Sequence, residues 1–210
     1  MTSSRRIGTE RASNRQALID AAAVVLQEEG YAALTARRIA EQAGLKPQLV
    51  HYYFRTMDDL VVAVIRKWGD EGLKRVVRAS TSKELLKALW KSGTDDKASA
   101  LAMEVLAMAM NRDSIREETL RFLEQERTLQ REAIERHFEA IGYKPGNPPM
   151  SIIMVLTGIA RLLAREKALG FSLGHDEIEA GVEAWLDSFY AQIPDGPERT
   201  DETEIAGEFE

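Results

Sequence analysis

The stretch AEQAGLKPQLVHYYF, residues 40–54, decides the fold. One glycine separates two short apolar patterns, and each side of it carries a different local signal. Gly44 can take the left-handed conformation that ends a helix at Ala43. Pro47 suits the first position of the next helix, where its missing N–H would be unpaired in any case. Ala40 is small enough for the second helix to cross it closely, and Val50 fills the space between the two, which together predict a helix-turn-helix. With Leu45, Val50 and Phe54 turned inward at helical spacing, Lys46, Pro47, Gln48, Leu49, His51 and Tyr53 face out, and Tyr52 is expected to join Phe54 in the core. The outward set combines a cation, an amide, an apolar contact and rings, the groups that base edges and phosphates require.

On either side of this stretch, nearly every segment reads as helix. Ser13 with Gln16 has the form of a capping box that opens an amphipathic run with Leu18, Ala22, Val25 and Leu26 inward, closed by Gly30. Thr35 is a candidate N-cap, with Ile39 and Ala40 inward. Thr56 and Asp59 cap a fourth helix through Leu60, Val64 and Trp68 towards Val77. Further helices are expected at about 83–91, 95–110, 114–141, 148–168 and 176–192. No β-alternation of useful length interrupts them. The expectation is an all-α chain of about nine helices: a basic, flexible N-terminal arm (1–12), a three-helix helix-turn-helix domain (13–56), a larger helical domain (57–193) and a disordered acidic tail (194–210).

The 210 residues carry a formal net charge of −6, distributed unevenly: residues 1–56 hold eight Lys and Arg against five Asp and Glu, and the remainder is strongly acidic. The basic excess marks the end that suits a polyanion. Arg5, Arg6, Arg11 and Arg15 form either an arm that follows a minor groove or a solvated terminus. Without cysteine there is neither a disulfide nor a thiolate metal site, and a reducing cytoplasm is the natural compartment. The opening MTSSRRIGTERASNR has no apolar signal core, and the run at 152–164, broken by Thr157, Gly158 and Arg161, is too short to span a bilayer. A soluble protein with no membrane partner is expected.

Residues 14–62 resemble the DNA-binding region of the TetR family of transcriptional regulators. The resemblance rests on RQALIDAAAVVLQEEGY, Thr35, Arg37, IAEQAGL, LVHYYF and the capped RTMDDL, each at the expected separation from the next. It implies that 47–53 is the recognition helix, with Lys46, Pro47, Gln48, Leu49 and His51 nearest the bases and Thr35, Arg37 and Tyr53 on phosphates. Four positions depart from the family pattern. Lys46 replaces a usual serine or threonine cap, Leu49 a small polar residue, His51 a tyrosine, and Met57 a phosphate-binding lysine, which weakens anchoring unless Arg55 substitutes. The resemblance further implies a homodimer that binds a double-stranded DNA operator, and a repressor released by a small, largely apolar effector, with no cofactor and no metal.

The segment ALAMEVLAMAM, 100–110, is apolar nearly all round and reads as a buried central helix. Met103, Met108 and Met110 either line a cavity or fill one. Glu104 needs a partner or a ligand there, and Arg161, one turn after Thr157 on another apolar helix, poses the same question. Trp90, Met103, Glu104, Met108, Phe122 and Arg161 form the candidate pocket. Ile178, Val182, Trp185, Leu186 and Phe189 make an apolar stripe beside the small residues Gly181, Ala184 and Ser188, and with Gly158 they resemble the family's four-helix dimer face. Two other readings remain: a DNA-binding architectural protein with a filled core, and an enzyme using Glu104, Arg161 and His137. The three histidines, 51, 137 and 175, fall on separate elements, and no phosphate loop, nucleophile elbow or HExxH pair is present, so an enzyme is not expected.

Overall fold

The computed structural model describes residues 2–94 and 96–193. They form α1 (Thr2–Glu29), a 3₁₀ turn (Tyr31–Ala33), α2 (Ala36–Ala43), α3 (Gln48–Tyr53), α4 (Met57–Ser80), α5 (Leu85–Gly93), α6 (Asp96–Ala109), α7 (Asp113–Ala140), α8 (Pro149–Ala168) and α9 (His175–Ala191). Among the described residues there is no strand, so the chain is all-α as its periodicity predicts.

The local signals act where their chemistry requires them. Gly30 and Gly44 have φ of 75° and 65°, and the Leu45 N–H returns to the Ala40 carbonyl at 2.9 Å to close α2. Thr35 Oγ1 accepts from the Arg38 N–H at 3.2 Å, and Thr56 and Asp59 form a reciprocal capping box with both bonds at 3.0 Å. The Ser13 box is a correction. Gln16 donates to Asp20 at 2.8 Å instead of reaching back, and α1 runs without a break from Thr2 through the segment expected as an arm. No proline interrupts that segment, and a single glycine inside a helix costs only about 1 kcal/mol. The expected acidic tail, 194–210, lies outside the described residues.

Two cores organise the molecule. The first joins Leu18, Leu26, Ile39, Val50 and Leu60 with Leu101, Val105, Met108 and Ile115, so the end of α6 and the start of α7 close the core of the helix-turn-helix region. The second joins α5, α7, α8 and α9 through Leu89, Trp90, Ile134, Phe138, Ile153 and Leu186. Between them, α4 and α7 approach closely because α4 carries glycine at 69 and 72. A Cβ on Gly69 would lie 2.9 Å from Phe122 Cδ2, and one on Gly72 3.1 Å from its Cζ. Glu118 on α7 reinforces this seam. Burial pushes its pKa up, but hydrogen bonds from Arg66 and Arg121 outweigh that and hold it below the ordinary value.

Candidate nucleic-acid interface and internal cavity

The outer face of α3 starts from a rigid mount. Glu29 accepts from Arg38 Nε at 2.9 and 3.0 Å, tying α1 to α2, and the Arg15 guanidinium lies 5.1 Å from the Phe54 ring centroid. Arg38 holds the Glu29 carboxyl below its usual value through that hydrogen bond. Lys46, Pro47, Gln48 and His51 are exposed, as are Thr35 and Arg37 on the first helix and Arg55 beyond the second. Among these, Arg55 approaches Asp59 at 3.9 Å, while Arg37, Lys46, Gln48 and His51 have no hydrogen-bond or ion-pair partner among the described residues. A cluster of cationic and amide groups is thus left for something outside the chain.

Three residues of α3 sit differently from expectation. Leu49 and Tyr53 are half-buried against the first core, and Tyr52 is 61% exposed. The reason is helical spacing: Val50, Tyr53 and Phe54 are three and four residues apart and share a face with Leu49, whereas Tyr52, two residues from Val50, points away. Tyr52 and Tyr53 still touch edge to face, with centroids 4.9 Å apart.

The central helix α6 does not present Glu104 to a cavity. Glu104 Oε2 instead accepts from the backbone N–H of Tyr31 at 3.1 Å, at the start of the 3₁₀ turn. The Tyr31 hydroxyl accepts from Arg112, whose guanidinium lies 4.6 Å from the Tyr31 ring centroid and also pairs with Asp58 in the first turn of α4. Neither an arginine partner nor a ligand was needed to explain Glu104, because a backbone donor serves it. Glu104 and Arg112 therefore join the helical body to the helix-turn-helix region.

A cavity of about 190 Å³ lies between α4, α5, α6, α7 and α8. It brings together Met103, Phe122 and Arg161 of the expected pocket, with Trp68, Glu126 and Gln130 added. Arg161 Nη2 donates to Glu126 Oε1 at 2.8 Å. Trp90, 4% exposed, packs in the second core, Met108 fills the first, and Met110 is exposed, so none of these lines it. The added residues were missed because their signal is tertiary. Gly69 and Gly72 mark the α4 face by their spacing, but nothing in the sequence names Phe122 as their neighbour. The acid–base set is not assembled: Glu104 holds Tyr31, Arg161 holds Glu126, and His137 Nε2 lies 3.2 Å from the Tyr190 hydroxyl. No cluster of potential metal ligands occurs among the described residues.

On the far side, α8 and α9 form an apolar groove of about 470 Å³ that includes Val155, Ile178, Gly181 and Trp185. Val155 is 63% and Trp185 46% exposed, and Gly158, Ala184 and Ser188 are open to solvent beside them. Leu186 is buried in the second core and Val182 and Phe189 pack against it, so the stripe seen in the sequence divides between an inner and an outer face.

Fold and site define a helix-turn-helix protein, in which a small three-helix unit is fastened to a larger helical body that holds a cavity. Residues 18–64 match the family described as bacterial regulatory proteins, tetR family. Over that segment the chain is similar to TetR-family regulators. It is similar to the HTH-type transcriptional regulator BetI of Rhizobium meliloti (strain 1021), with 38% identity over 79 residues that cover 36% of this chain and 39% of that relative. The chain thus matches well under two thirds of that relative's length. The solved structure of a TetR transcription regulator from Haloarcula marismortui ATCC 43049 has the same fold, with a TM-score of 0.67 at 20% identity over 84% of this chain and 98% of that one. The multidrug binding protein EbrR, solved in complex with imidazole, is 28% identical with a TM-score of 0.52, over 73% of this chain and 85% of that one. No described helix is long and apolar enough to cross a membrane.

Proposed function

We propose that this chain is a DNA-binding transcriptional regulator, a repressor that acts as a homodimer on an operator and is released by a small, largely apolar effector. The observation that carries the reading is the outer face of α3, whose Lys46, Gln48 and His51 side chains are exposed and unsatisfied within the chain. In this reading Lys46, Pro47, Gln48 and His51 meet base edges, and Thr35, Arg37 and Arg55 meet phosphates. Leu49 and Tyr53 support the helix from behind, Tyr53 keeping a hydroxyl for a phosphate. The helix-turn-helix unit reads DNA, and residues 57–193 supply the effector site and the dimer face.

The same helix, α4, starts at the capping box behind α3 and passes along the cavity at Trp68 and Gly72, some 24 residues in all or about 36 Å. An effector that favours one packing of α4 against α6 and α7 would shift the separation of the two recognition helices, and its influence is set by its differential affinity for the two arrangements. The open cavity favours this regulator over an architectural protein with a filled core. EbrR with bound imidazole is a similar chain that holds a small molecule, which supports the effector reading.

The test is selection of bound sequences from a pool of random DNA duplexes by the purified chain. The proposal requires enrichment of a site with two related half-sites and an affinity that falls steeply with salt, by a log–log slope of roughly −0.9 per phosphate neutralised. A pool that stays random after repeated selection overturns it.

A further inference from the structure

Three guanidinium groups and one carboxylate line the cavity. Arg161 and Glu126 neutralise each other at 2.8 Å. Arg75, half-buried on α4, and Arg165, exposed on α8, have neither an ion-pair nor a hydrogen-bond partner among the described residues. The lining therefore carries a surplus of positive charge, and in a partly enclosed site that surplus acts at reduced dielectric.

The uncharged polar groups point the same way. The Trp68 indole Nε1–H, a donor with no acceptor capacity, is enclosed and unpartnered. Gln130 is 4% exposed and bonds to no described residue. The Thr119 and Thr157 hydroxyls, by contrast, already donate to the Ile115 and Ile153 carbonyls of their own helices. Buried donors without acceptors are rare in folded proteins and mark a place where an acceptor belongs. The remainder of the wall is apolar, with the Trp68 and Phe122 ring centroids 5.0 Å apart at 55°.

We propose that this cavity binds a single-ring aromatic carboxylate, its acid group facing Arg75 and Arg165 and its ring lying against Trp68 and Phe122. The size agrees: the volume of about 190 Å³ is a little above the ~150 Å³ that accepts one benzene ring. A cation is the competing occupant, because rings beside a carboxylate attract one. It is disfavoured here because Arg161 already matches Glu126 and two guanidiniums remain to repel it. The inference deepens the effector reading and rests on this cavity being the effector site.

Binding to the full chain is measured by calorimetry and tryptophan fluorescence with three probes of one ring each: benzoate, neutral benzamide and cationic phenyltrimethylammonium. Benzoate should bind about tenfold tighter than benzamide, as charge-assisted hydrogen bonds require, and the cation should not bind. Arg75→Gln and Arg165→Gln should each remove most of that preference while the unliganded variants keep the helical circular dichroism and thermal unfolding of the parent. Equal affinity for benzoate and benzamide, preference for the cation, or no binding of any probe overturns the proposal. Release of the selected DNA is measured separately. Benzoate that binds with the stated preference but leaves DNA affinity unchanged, or a chain that binds no DNA, would break the regulator reading and leave this site standing.

Discussion

Glu104 on α6 accepts a hydrogen bond from the backbone N–H of Tyr31 at 3.1 Å, across 73 residues of sequence. A carboxylate within the apolar segment 100–110 of α6 thus serves to fasten the helix-turn-helix unit to the helical body. Glu104→Gln keeps an acceptor oxygen and should leave stability close to that of the parent. Glu104→Ala removes it, orphans the Tyr31 N–H and should destabilise by about 1–2 kcal/mol in urea unfolding. Equal losses in both variants would mean that the charge, and not the acceptor, matters at this contact.

The close approach of α4 and α7 makes Gly69 a second sensitive point. Gly69→Ala gains up to about 1 kcal/mol of helix propensity, but its Cβ would meet Phe122 at 2.9 Å. Overpacking of this kind costs about 1–3 kcal/mol, so net destabilisation is expected, and Phe122→Leu in the same chain should recover part of it. A Gly69→Ala variant that unfolds at or above the parent midpoint would show that the ring moves aside freely.

These two contacts also show what the sequence could convey. Gly44, Thr35 and the Thr56 and Asp59 box were legible because each acts within four residues of itself, on backbone groups whose positions a helix end dictates. The face assignments on α3 are only partly legible, since a six-residue helix offers less than two turns of periodicity: Leu49 and Tyr53 pack against the first core while Tyr52 turns outward. Glu104 announced a missing partner, but a backbone N–H carries no mark in a sequence. Trp90 and Met108 were apolar enough for either wall or core, and only packing separates those roles. The cavity's donor-rich lining was invisible for the same reason: Trp68, Arg75, Gln130 and Arg165 come from three helices far apart in the chain.

His137 carries a pH dependence of definite sign. Burial lowers its pKa below the ordinary 6.5, and because the Tyr190 hydroxyl already accepts from the Leu86 N–H at 2.9 Å, its own hydrogen is free to be donated to the neutral ring. A depressed folded pKa means that the unfolded chain takes up the proton first as the pH falls. The contribution is therefore complete above pH 6.5 and is lost as the pH drops from there through the lower folded value. Thermal midpoints from pH 7.5 to 5 should fall more for the parent than for His137→Gln, and parallel curves would remove His137 from the acid response.

On the DNA side, Arg37 and Gln48 should separate two kinds of contact. Arg37→Ala should weaken binding to every duplex and flatten the salt slope by about 0.9 for one lost phosphate. Gln48→Ala should relax preference at one base pair of each half-site, by about 1–3 kcal/mol. A flattened salt slope without loss of base preference in the Gln48 variant would assign that amide to the backbone.

The outer face of α8 and α9 is left open to solvent in the single chain. Val155 and Trp185 are too exposed there for a monomer to gain from them, and a Cβ on Gly158 or Gly181 would meet nothing within 4 Å of the single chain. An apolar surface flanked by open small residues suits a second copy of the same helix pair, because small side chains let two backbones approach and apolar ones then bury area at about 25 cal/mol per Å². Gly181→Glu with Ala184→Glu places two carboxylates on that face without touching the inner side, where Leu186 packs. The double variant should therefore sediment as a monomer with the parent's helical circular dichroism, and should lose most of its affinity for a two-half-site duplex while still binding one half-site weakly. Isologous contact doubles every substitution, so like charges from both copies would meet at the centre of the interface. Sedimentation at the dimer mass in both proteins would place the partner on another surface, and loss of the circular dichroism signal would instead make this face part of the fold of the single chain.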